Sequence, residues 1–184
     1  EDMQHSLPLQ PGNDSVESTE WLFAHYVIAR KIANLERTSL LKSASEHFNT
    51  KLFTPNPTPE LPLIHNMGSV DYQRQMPYVF KNSAINLNIS LRSIRSGIPL
   101  RCFDIMGCGG FLLSNYQGDF YEHFVPGEDL VLFESQEDFL NKCDYYLKHD
   151  NERRQIAANG YGKVKEFHTY EVRLKEIFKV VFSK

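Results

Sequence analysis

The sequence predicts an α/β fold in which a parallel β-sheet is flanked by helices. Short apolar runs alternate with helical stretches from Asn49 onward, and this alternation is typical of strands joined by helical crossovers. Hydrophobic residues make up 41% of the 184 residues, which is enough for one compact domain with an added helical arm. The net charge is −3 without a long run of one sign, so we expect binding neither to nucleic acid nor to an anionic membrane surface.

The N-terminal part divides into a linker and a helical arm. Residues 1–18 contain Pro8 and Pro11 and show little periodicity, so we interpret them as a linker. Their abrupt polar start also suggests an internal point of a longer protein. Apolar residues recur at steps of three and four through residues 19–47, which predicts a helical arm that packs on the domain formed by residues 48–184.

Five short apolar runs are expected to form the strands of the sheet. One of the helices predicted between them contains Pro77, and an interior proline costs about 3 kcal/mol in a helix, so a kink or break is expected there. The expected strands are residues 51–54, 61–65, 84–90, 110–114 and 130–133, and the helices between them include residues 71–81 and 99–107.

Polar residues are placed to cap the helices of the C-terminal half, because their side chains can accept hydrogen bonds from the free N–H groups of a first helical turn. The helix that Asp150 is expected to cap should end near Gly160 or Gly162. The predicted caps are Asp119, Ser135, Asp150 and Thr169.

The loop before the helix at residues 99–107 is rich in arginine. Arg92 and Arg95 lie in this loop, and Arg101 follows in the first helical turn. Guanidinium groups match phosphate oxygens, and a helix N-terminus adds free N–H groups and a partial positive charge. Gly97 lets the backbone approach a bulky anion. The loop is therefore a candidate anion site, although its arginines alone fit a solvated loop paired with surface acids equally well.

Polar residues near the ends of the predicted strands extend this candidate site. Asp104 lies about one turn into the helix and is either a salt-bridge partner or a ligand for sugar hydroxyls, as carboxylates are for ribose in dinucleotide folds. His65 follows a predicted strand and Asn88 ends another. Ligands of parallel α/β sheets bind outside the carboxyl ends of the strands, so both residues are expected to line the same cleft.

Cysteine and histidine spacing points away from metal chemistry. The three cysteines form no C-x-x-C pair, and no two histidines have metal-type spacing, so we expect reduced core thiols and no metal site. Cys108 has no acid–base partner close in sequence and is not expected to be catalytic. No apolar run approaches the roughly 18 residues of a membrane span and no secretory signal is visible, so a cytoplasmic location is expected.

Two motifs carry a family resemblance. The segment RCFDIMGCGGFLL and the later HTYEVR resemble the C-terminal domain of CgeB-like, spore-maturation-type glycosyltransferases, and the similarity extends over roughly residues 36–173. The resemblance implies a bacterial enzyme of the GT-B fold, which has two facing Rossmann-like domains. The C-terminal domain of such enzymes grips a nucleotide-diphosphate sugar, and the N-terminal domain usually holds the acceptor. The resemblance therefore implies that this chain holds the donor half alone, so that it would bind donor weakly and transfer nothing.

The resemblance assigns roles to individual residues. It implies that the donor phosphates meet the start of the helix at residues 99–107 and that a carboxylate on this helix, Asp104, binds the ribose. A nucleotide-lining role is implied for the loop after the second predicted strand and for Asn88. The implied phosphate site comprises Arg92, Arg95, Gly97, Ile98, Pro99 and Arg101, and the implied nucleotide loop comprises His65, Asn66, Met67 and Gly68.

One departure from the wider group bears on mechanism. Many retaining relatives have two glutamates in an E-x7-E motif, whereas this chain has Ser96 and Asp104 at those positions. The motif therefore does not support a retaining mechanism, and the general base of an inverting reaction is expected in the other domain. No Asp-x-Asp motif is present, so we expect neither an obligatory metal nor a cofactor besides the sugar nucleotide.

Two other functional classes stay open at the level of sequence. A non-catalytic nucleotide or sugar-phosphate binding module would use the same cleft without a partner domain. An interaction module would instead use the helices at residues 21–47 and 174–182 as partner-binding faces, whereas intramolecular packing is the simpler interpretation of their apolar stripes.

Overall fold

The computed structural model describes residues 17–91, 94 and 96–183 as an α/β fold. The described strands are β1 (Lys51–Leu52), β2 (His65–Asn66), β3 (Asn86–Asn88), β4 (Leu112–Asn115) and β5 (Val131–Phe133). The described helices are α1 (Thr19–Leu22), α2 (Ala29–His47), α3 (Met76–Asn82), α4 (Leu100–Gly107), α5 (Phe120–His123), α6 (Gln136–Lys148), α7 (Asp150–Phe167) and α8 (Tyr170–Phe182), with a π-helical segment (Phe23–Ile28) between α1 and α2.

All strand pairs described in the structure are parallel, as the alternation of strands and helices predicts. Strand β1 pairs with β2, and β3, β4 and β5 form a separate sheet in that order. In the larger sheet Asn88 is in register with Ser114, and Asn115 is in register with Phe133. The carboxyl ends of β3, β4 and β5 therefore meet at one edge of the sheet.

Two apolar clusters cover the two faces of the larger sheet. One cluster joins α2, α6 and α7 to Leu113 of β4 and Val131 of β5. The other joins α3, α4 and α5 to Leu112 and Leu132, which point to the opposite face because successive side chains of a strand alternate. The fully buried face of α4, formed by Cys102, Ile105 and Met106, belongs to this second cluster.

Helix α2 contributes directly to the core. Its Leu40 and Ala44 are buried in the cluster with Leu113, and Gln136 at the start of α6 donates a hydrogen bond to Ser43 and accepts one from Ser39. The preceding α1 and π-helical segment are more exposed, since Trp21, Tyr26 and Ile28 each keep more than 40% of their surface in solvent. Among the described residues, no helix is both long enough and apolar enough to cross a membrane.

Local structure corrects several expected boundaries. The second strand comprises His65–Asn66 because residues 62–64 form turns and bends after a proline-rich stretch, so the strand expected at 61–65 begins late. The helix expected at 71–81 begins at Met76, which puts Pro77 in the first turn. Residues 72–75 form turns, so the regular helix is interrupted just before Pro77, as expected, and the proline is tolerated in the first turn because an N–H group there needs no partner inside the helix.

The expected caps are partly confirmed. Ser135 and Thr169 accept hydrogen bonds from backbone N–H groups of α6 and α8, as predicted. Asp119 makes no capping hydrogen bond, and Asp150 is the first residue of α7 rather than its cap. Helix α7 also continues through Gly160 and ends at Phe167, because this glycine lets the helix pack against the backbone of Asp129, where a Cβ atom would overlap the carbonyl oxygen.

Candidate functional site

Buried polar side chains link the carboxyl ends of β3 and β4. Asn88 donates hydrogen bonds through Nδ2 to the hydroxyl oxygens of Ser90 and Ser114, each at 3.0 Å. The Ser90 hydroxyl donates in turn to Oε1 of Gln117 at 3.2 Å. These four residues are each at most 9% exposed. Their hydrogen bonds form a buried polar network that holds the carboxyl ends of β3 and β4 in one arrangement.

Asn115, the last residue of β4, holds Ser90, which lies two residues beyond the end of β3. Its Oδ1 accepts from the backbone N–H of Ser90 at 2.8 Å, and its Nδ2 donates to the Ser90 carbonyl at 3.1 Å. The side-chain amide therefore replaces a backbone peptide in the ladder. This contact fixes the point at which the chain leaves β3 for the arginine-containing loop.

The loop that leads into α4 approaches the sheet edge through Gly97. Gly97 has φ +93°, a conformation that favours glycine, and its N–H donates to Oδ2 of Asp119 at 2.5 Å. Pro99 is the N-cap of α4 and makes no side-chain capping bond, and Leu100 is 72% exposed. The Cys102 N–H donates to the Pro99 carbonyl at 2.9 Å, and no side chain caps the N–H groups that precede it in the first turn of α4.

Arg101 and Asp104 lie one turn apart on α4, beside Tyr72. The Tyr72 hydroxyl donates to Oδ2 of Asp104 at 2.6 Å. Burial raises the pKa of Tyr72, the hydrogen bond to Asp104 and its negative charge raise it further, and the nearby Arg101 guanidinium acts in the opposite direction. The three side chains therefore form one polar cluster, in which the carboxylate keeps a hydroxyl partner and a cation nearby.

The segment after β2 reaches the same cluster. Asn66 donates to the Asn56 carbonyl at 2.9 Å and accepts through Oδ1 from the N–H of Gly68, which has φ +75°. His65 and Met67 are exposed. The chain passes from this turn to Tyr72, whose hydroxyl contacts α4, so the carboxyl end of β2 and the exposed face of α4 are joined by one short segment.

Comparison with known proteins identifies the family. Residues 30–179 match the family model described as Glycosyl transferase-like. The chain belongs to the glycosyl transferase-like family. No curated protein matches the chain in sequence.

A solved structure shows where this glycosyl transferase-like chain stands among known folds. The chain is similar in fold to a sucrose-phosphate synthase from Thermosynechococcus elongatus, with a TM-score of 0.63 and 13% sequence identity over 79% of this chain and 42% of that one. At this identity the likeness concerns the fold alone. It confirms the predicted GT-B type of α/β architecture, and the chain spans less than half the length of that enzyme.

The structure brings together part of the predicted donor site of this glycosyl transferase-like domain. Arg101 and Asp104 lie on one face of α4, whereas Arg92 and Arg95 lie outside the described residues. Ile98 is partly buried and packs against the core cluster of α4, so its side chain is part of the apolar packing. The Pro99 nitrogen carries no hydrogen, so the proline can shape a phosphate site but cannot donate to it. Asn88 is 4% exposed and its amide nitrogen already donates to Ser90 and Ser114, so it belongs to the buried polar network beneath the site.

Sequence reasoning missed several residues of this edge. No sequence pattern assigned a role to Tyr72, whose hydroxyl is the described partner of Asp104. An open pocket of about 740 Å³ also lies between α2 and the carboxyl ends of the strands. Its lining includes Glu36, Ser39, Ile89, Asn115, Tyr116 and Gln136. Helix α2 is distant in sequence from the strand ends, so no local signal could have paired them.

The cysteines behave as core thiols. Cys102 and Cys143 are buried, and this burial raises the pKa of each to about 12. Burial also raises the pKa of Cys108. None of these thiols is therefore available as a thiolate nucleophile near neutral pH. Within the described part of the chain, no three His, Cys, Asp or Glu residues are grouped so that they could hold a metal ion.

Proposed function

We propose that the chain is the donor-binding, C-terminal domain of a two-domain GT-B glycosyltransferase of the CgeB-like type. It binds a nucleotide-diphosphate sugar, and an N-terminal domain of the same protein holds the acceptor. The observation that carries this proposal is the cluster that Arg101 and Asp104 of α4 form with Tyr72 of the segment after β2, in a chain of the glycosyl transferase-like family. A bacterial, cytoplasmic enzyme is the setting that the resemblance suggests.

The chemistry of donor cleavage assigns a task to each part of this edge. Negative charge builds up on the diphosphate as the bond to the sugar breaks, and fixed donors that point at the charge stabilise it. Arg101, the N–H groups around Gly97 and the first turn of α4 supply such donors, and the sequence adds Arg92 and Arg95. Asp104 accepts hydrogen bonds from the ribose hydroxyls. Aspartate is shorter than glutamate and reaches less far towards the ribose. The Tyr72 hydroxyl, which lies on the segment after β2, donates a hydrogen bond to this carboxylate and holds it in position.

Asp119 sets a condition on phosphate binding. Its carboxylate occupies the N–H of Gly97, which is one of the proposed phosphate donors. A phosphate oxygen and this carboxylate cannot share the N–H group, because like charges in contact repel. In the proposed mechanism the diphosphate either displaces the carboxylate or uses the neighbouring N–H groups of Ile98 and Leu100.

Removing the Arg101 guanidinium tests the phosphate role. We expect Arg101→Ala to weaken UDP or GDP binding by roughly 10- to 150-fold, because a hydrogen bond to a charged group contributes about 1.5–3 kcal/mol. Binding of the matching nucleoside should change less than about twofold. The matched control is Arg154→Ala, which removes the same charge from the exposed face of α7. Isothermal titration calorimetry measures both ligands, and equal losses for diphosphate and nucleoside would contradict the phosphate role.

Changing Asp104 tests the ribose role. We expect Asp104→Asn to weaken ribonucleotide binding more than binding of 2′,3′-dideoxy nucleotides, because only the former carry the hydroxyls that the carboxylate accepts from. The substitution keeps the size of the side chain, so the ligand pair serves as the control. A uniform loss across both ligands would argue for a structural effect of Asp104 on α4 instead.

A further inference from the structure

The open pocket beneath α2 lies at the carboxyl edge of the larger sheet. Its volume of about 740 Å³ falls within the roughly 300–1,000 Å³ of small-molecule sites. Ile89, Tyr116 and Glu134 directly follow β3, β4 and β5, and all three line the pocket. Ligands of parallel α/β sheets bind outside these strand ends. The pocket lies on the face that α2 and α6 cover, whereas α4, with Arg101 and Asp104, packs on the other face.

The pocket has an apolar base and a polar rim. Leu40 and Phe133 are buried at the base, and Ile89 is partly buried beside them. A ligand that fits this lining has both a C–H surface and several groups that form hydrogen bonds. The rim consists of side chains that carry oxygen or amide groups, namely Glu36, Ser39, Tyr116, Glu134, Ser135 and Gln136.

Hydrogen bonds across the pocket hold its walls in place. The Ser39 hydroxyl of α2 donates to Oε1 of Gln136 at 3.0 Å, and Nε2 of Gln136 donates to the Ser43 hydroxyl oxygen at 2.6 Å. These contacts join α2 to the start of α6. On the sheet side, both ends of the Asn115 amide are held by the backbone of Ser90. The pocket is therefore preorganised, and a ligand loses less affinity to ordering of the protein.

The charge of the lining selects against anions. Glu36 and Glu134 are acidic, and no basic side chain is among the described residues that line the pocket. The Arg37 guanidinium donates to the Ile89 carbonyl at 3.4 Å and is not part of the lining. The start of α6 borders the pocket, but acidic residues in its first turn offset its partial positive charge. Carboxylates accept hydrogen bonds from hydroxyl groups and repel phosphate, so the lining favours an uncharged ligand rich in hydroxyls.

We propose that this pocket binds an uncharged saccharide unit. Glu134 accepts hydrogen bonds from the sugar hydroxyls, and the Tyr116 ring, which is 53% exposed, covers a C–H face of the sugar. Asn115 lines the pocket and holds Ser90, where the chain leaves the sheet for the loop that contains Gly97. The sugar therefore lies beside the region assigned to the diphosphate. Its role as a substrate rests on the proposed glycosyl transfer, and it belongs either to the donor nucleotide or to a separate saccharide acceptor.

Nuclear magnetic resonance titration of the isotope-labelled chain tests the saccharide site. The probes are a panel of neutral hexoses, pentoses and N-acetylhexosamines, with inorganic phosphate as the anionic comparison. We expect at least one sugar to shift the amide signals of Ile89, Tyr116 and Glu134 in a saturable manner, and phosphate to leave them unchanged. No saturable shift with any sugar of the panel, or a shift of these signals by phosphate alone, overturns the proposal.

Variants with matched controls locate the bound sugar. We expect Glu134→Gln to weaken binding of the tightest sugar by at least about fivefold, because hydrogen bonds to a charged acceptor are stronger than those to a neutral one. Glu137→Gln, which removes an acidic group of α6 outside the lining, should change the affinity by less than about twofold. Tyr116→Ala should also cost at least about fivefold, and the exposed Tyr78→Ala serves as its control. Equal effects of the pocket variants and their controls would place the sugar elsewhere.

Titrations with UDP and UDP-glucose in the same samples separate this inference from the proposed function. UDP binding without binding of any sugar overturns the saccharide site and leaves the donor role intact, whereas sugar binding without UDP binding overturns the donor role. If Glu134→Gln removes the difference in affinity between UDP-glucose and UDP, the sugar is that of the donor. If a free sugar binds equally well with UDP-glucose already bound, it is a separate saccharide.

Discussion

Gly110 holds α4 against the sheet at a distance that no other residue permits. A Cβ atom added there would lie 2.7 Å from the carbonyl oxygen of Phe80, 2.8 Å from Nδ2 of Asn86 and 3.0 Å from the carbonyl oxygen of Ile105. Ordinary van der Waals contact begins at 3.4 Å. Two of these atoms belong to backbone, so they cannot move aside by rotation. We therefore expect Gly110→Ala to separate α3 and α4 from β3.

The magnitude follows from the contacts that must change. Overpacking of a dense core costs about 1–3 kcal/mol. Asn86 donates to the carbonyls of Phe80 and Phe111 at 2.9 and 3.3 Å, and a buried hydrogen bond that is lost costs about 1–3 kcal/mol. Restriction of the unfolded chain by alanine offsets about 0.4–1 kcal/mol. The expected net loss for Gly110→Ala is about 2–4 kcal/mol of unfolding free energy.

Urea unfolding followed by circular dichroism measures this loss, and two neighbouring glycines serve as graded controls. Gly118→Ala should change the stability by less than about 0.5 kcal/mol, since nothing lies within 4 Å of its added Cβ. Gly109 has φ +76° in open space, so Gly109→Ala should cost about 1–2 kcal/mol through backbone strain alone. A stability of Gly110→Ala within about 0.5 kcal/mol of the unchanged protein would refute the close-approach argument.

Two further predictions concern single contacts. In a double-mutant cycle of Tyr72→Phe and Asp104→Ala, urea unfolding should give a coupling of about 0.5–1.5 kcal/mol, because the 2.6 Å hydrogen bond is half-exposed; additive losses would show that the pair is not formed. The pKa of His168 is lowered to about 4 by burial and by the positive charge of Arg173, so its contribution to stability is complete above about pH 6.5 and declines as the pH falls towards 4. His168→Gln should flatten the fall in unfolding free energy between pH 7 and pH 5, and an unchanged slope would contradict this assignment.

The sequence predicted the order of elements well because their signals are local. Alternating apolar runs and capping residues such as Ser135 and Thr169 act over a few neighbours, so they can be read without knowledge of the packing. Helix ends depended on longer-range contacts. Gly160 looked like a helix terminator, but the helix continues there because the backbone of Asp129 needs the space that a side chain would fill.

The candidate site also combines contacts that the sequence predicts with contacts that depend on packing. Arg101 and Asp104 share one helical turn, so their spacing alone indicated a common face. The contact of Asp104 with Tyr72 spans 32 positions in sequence and depends on how the β2 segment returns over α4. The hydrogen bond between Gly97 and Asp119 changes the expected environment of the loop, since it brings a negative charge to an N–H group that the sequence alone assigned to phosphate.

The α/β class, the approximate place of each strand and the helix that bears Arg101 and Asp104 could all be predicted from the sequence. These properties follow from periodicity and from short motifs, which depend on the chemistry of adjacent residues. The contact of Tyr72 with Asp104, the contact of Asp119 with Gly97 and the division of the described strands into two sheets depended on the packing of the whole molecule. Such contacts join residues far apart in the chain, and their geometry is fixed by how whole helices pack on the sheet rather than by any local preference.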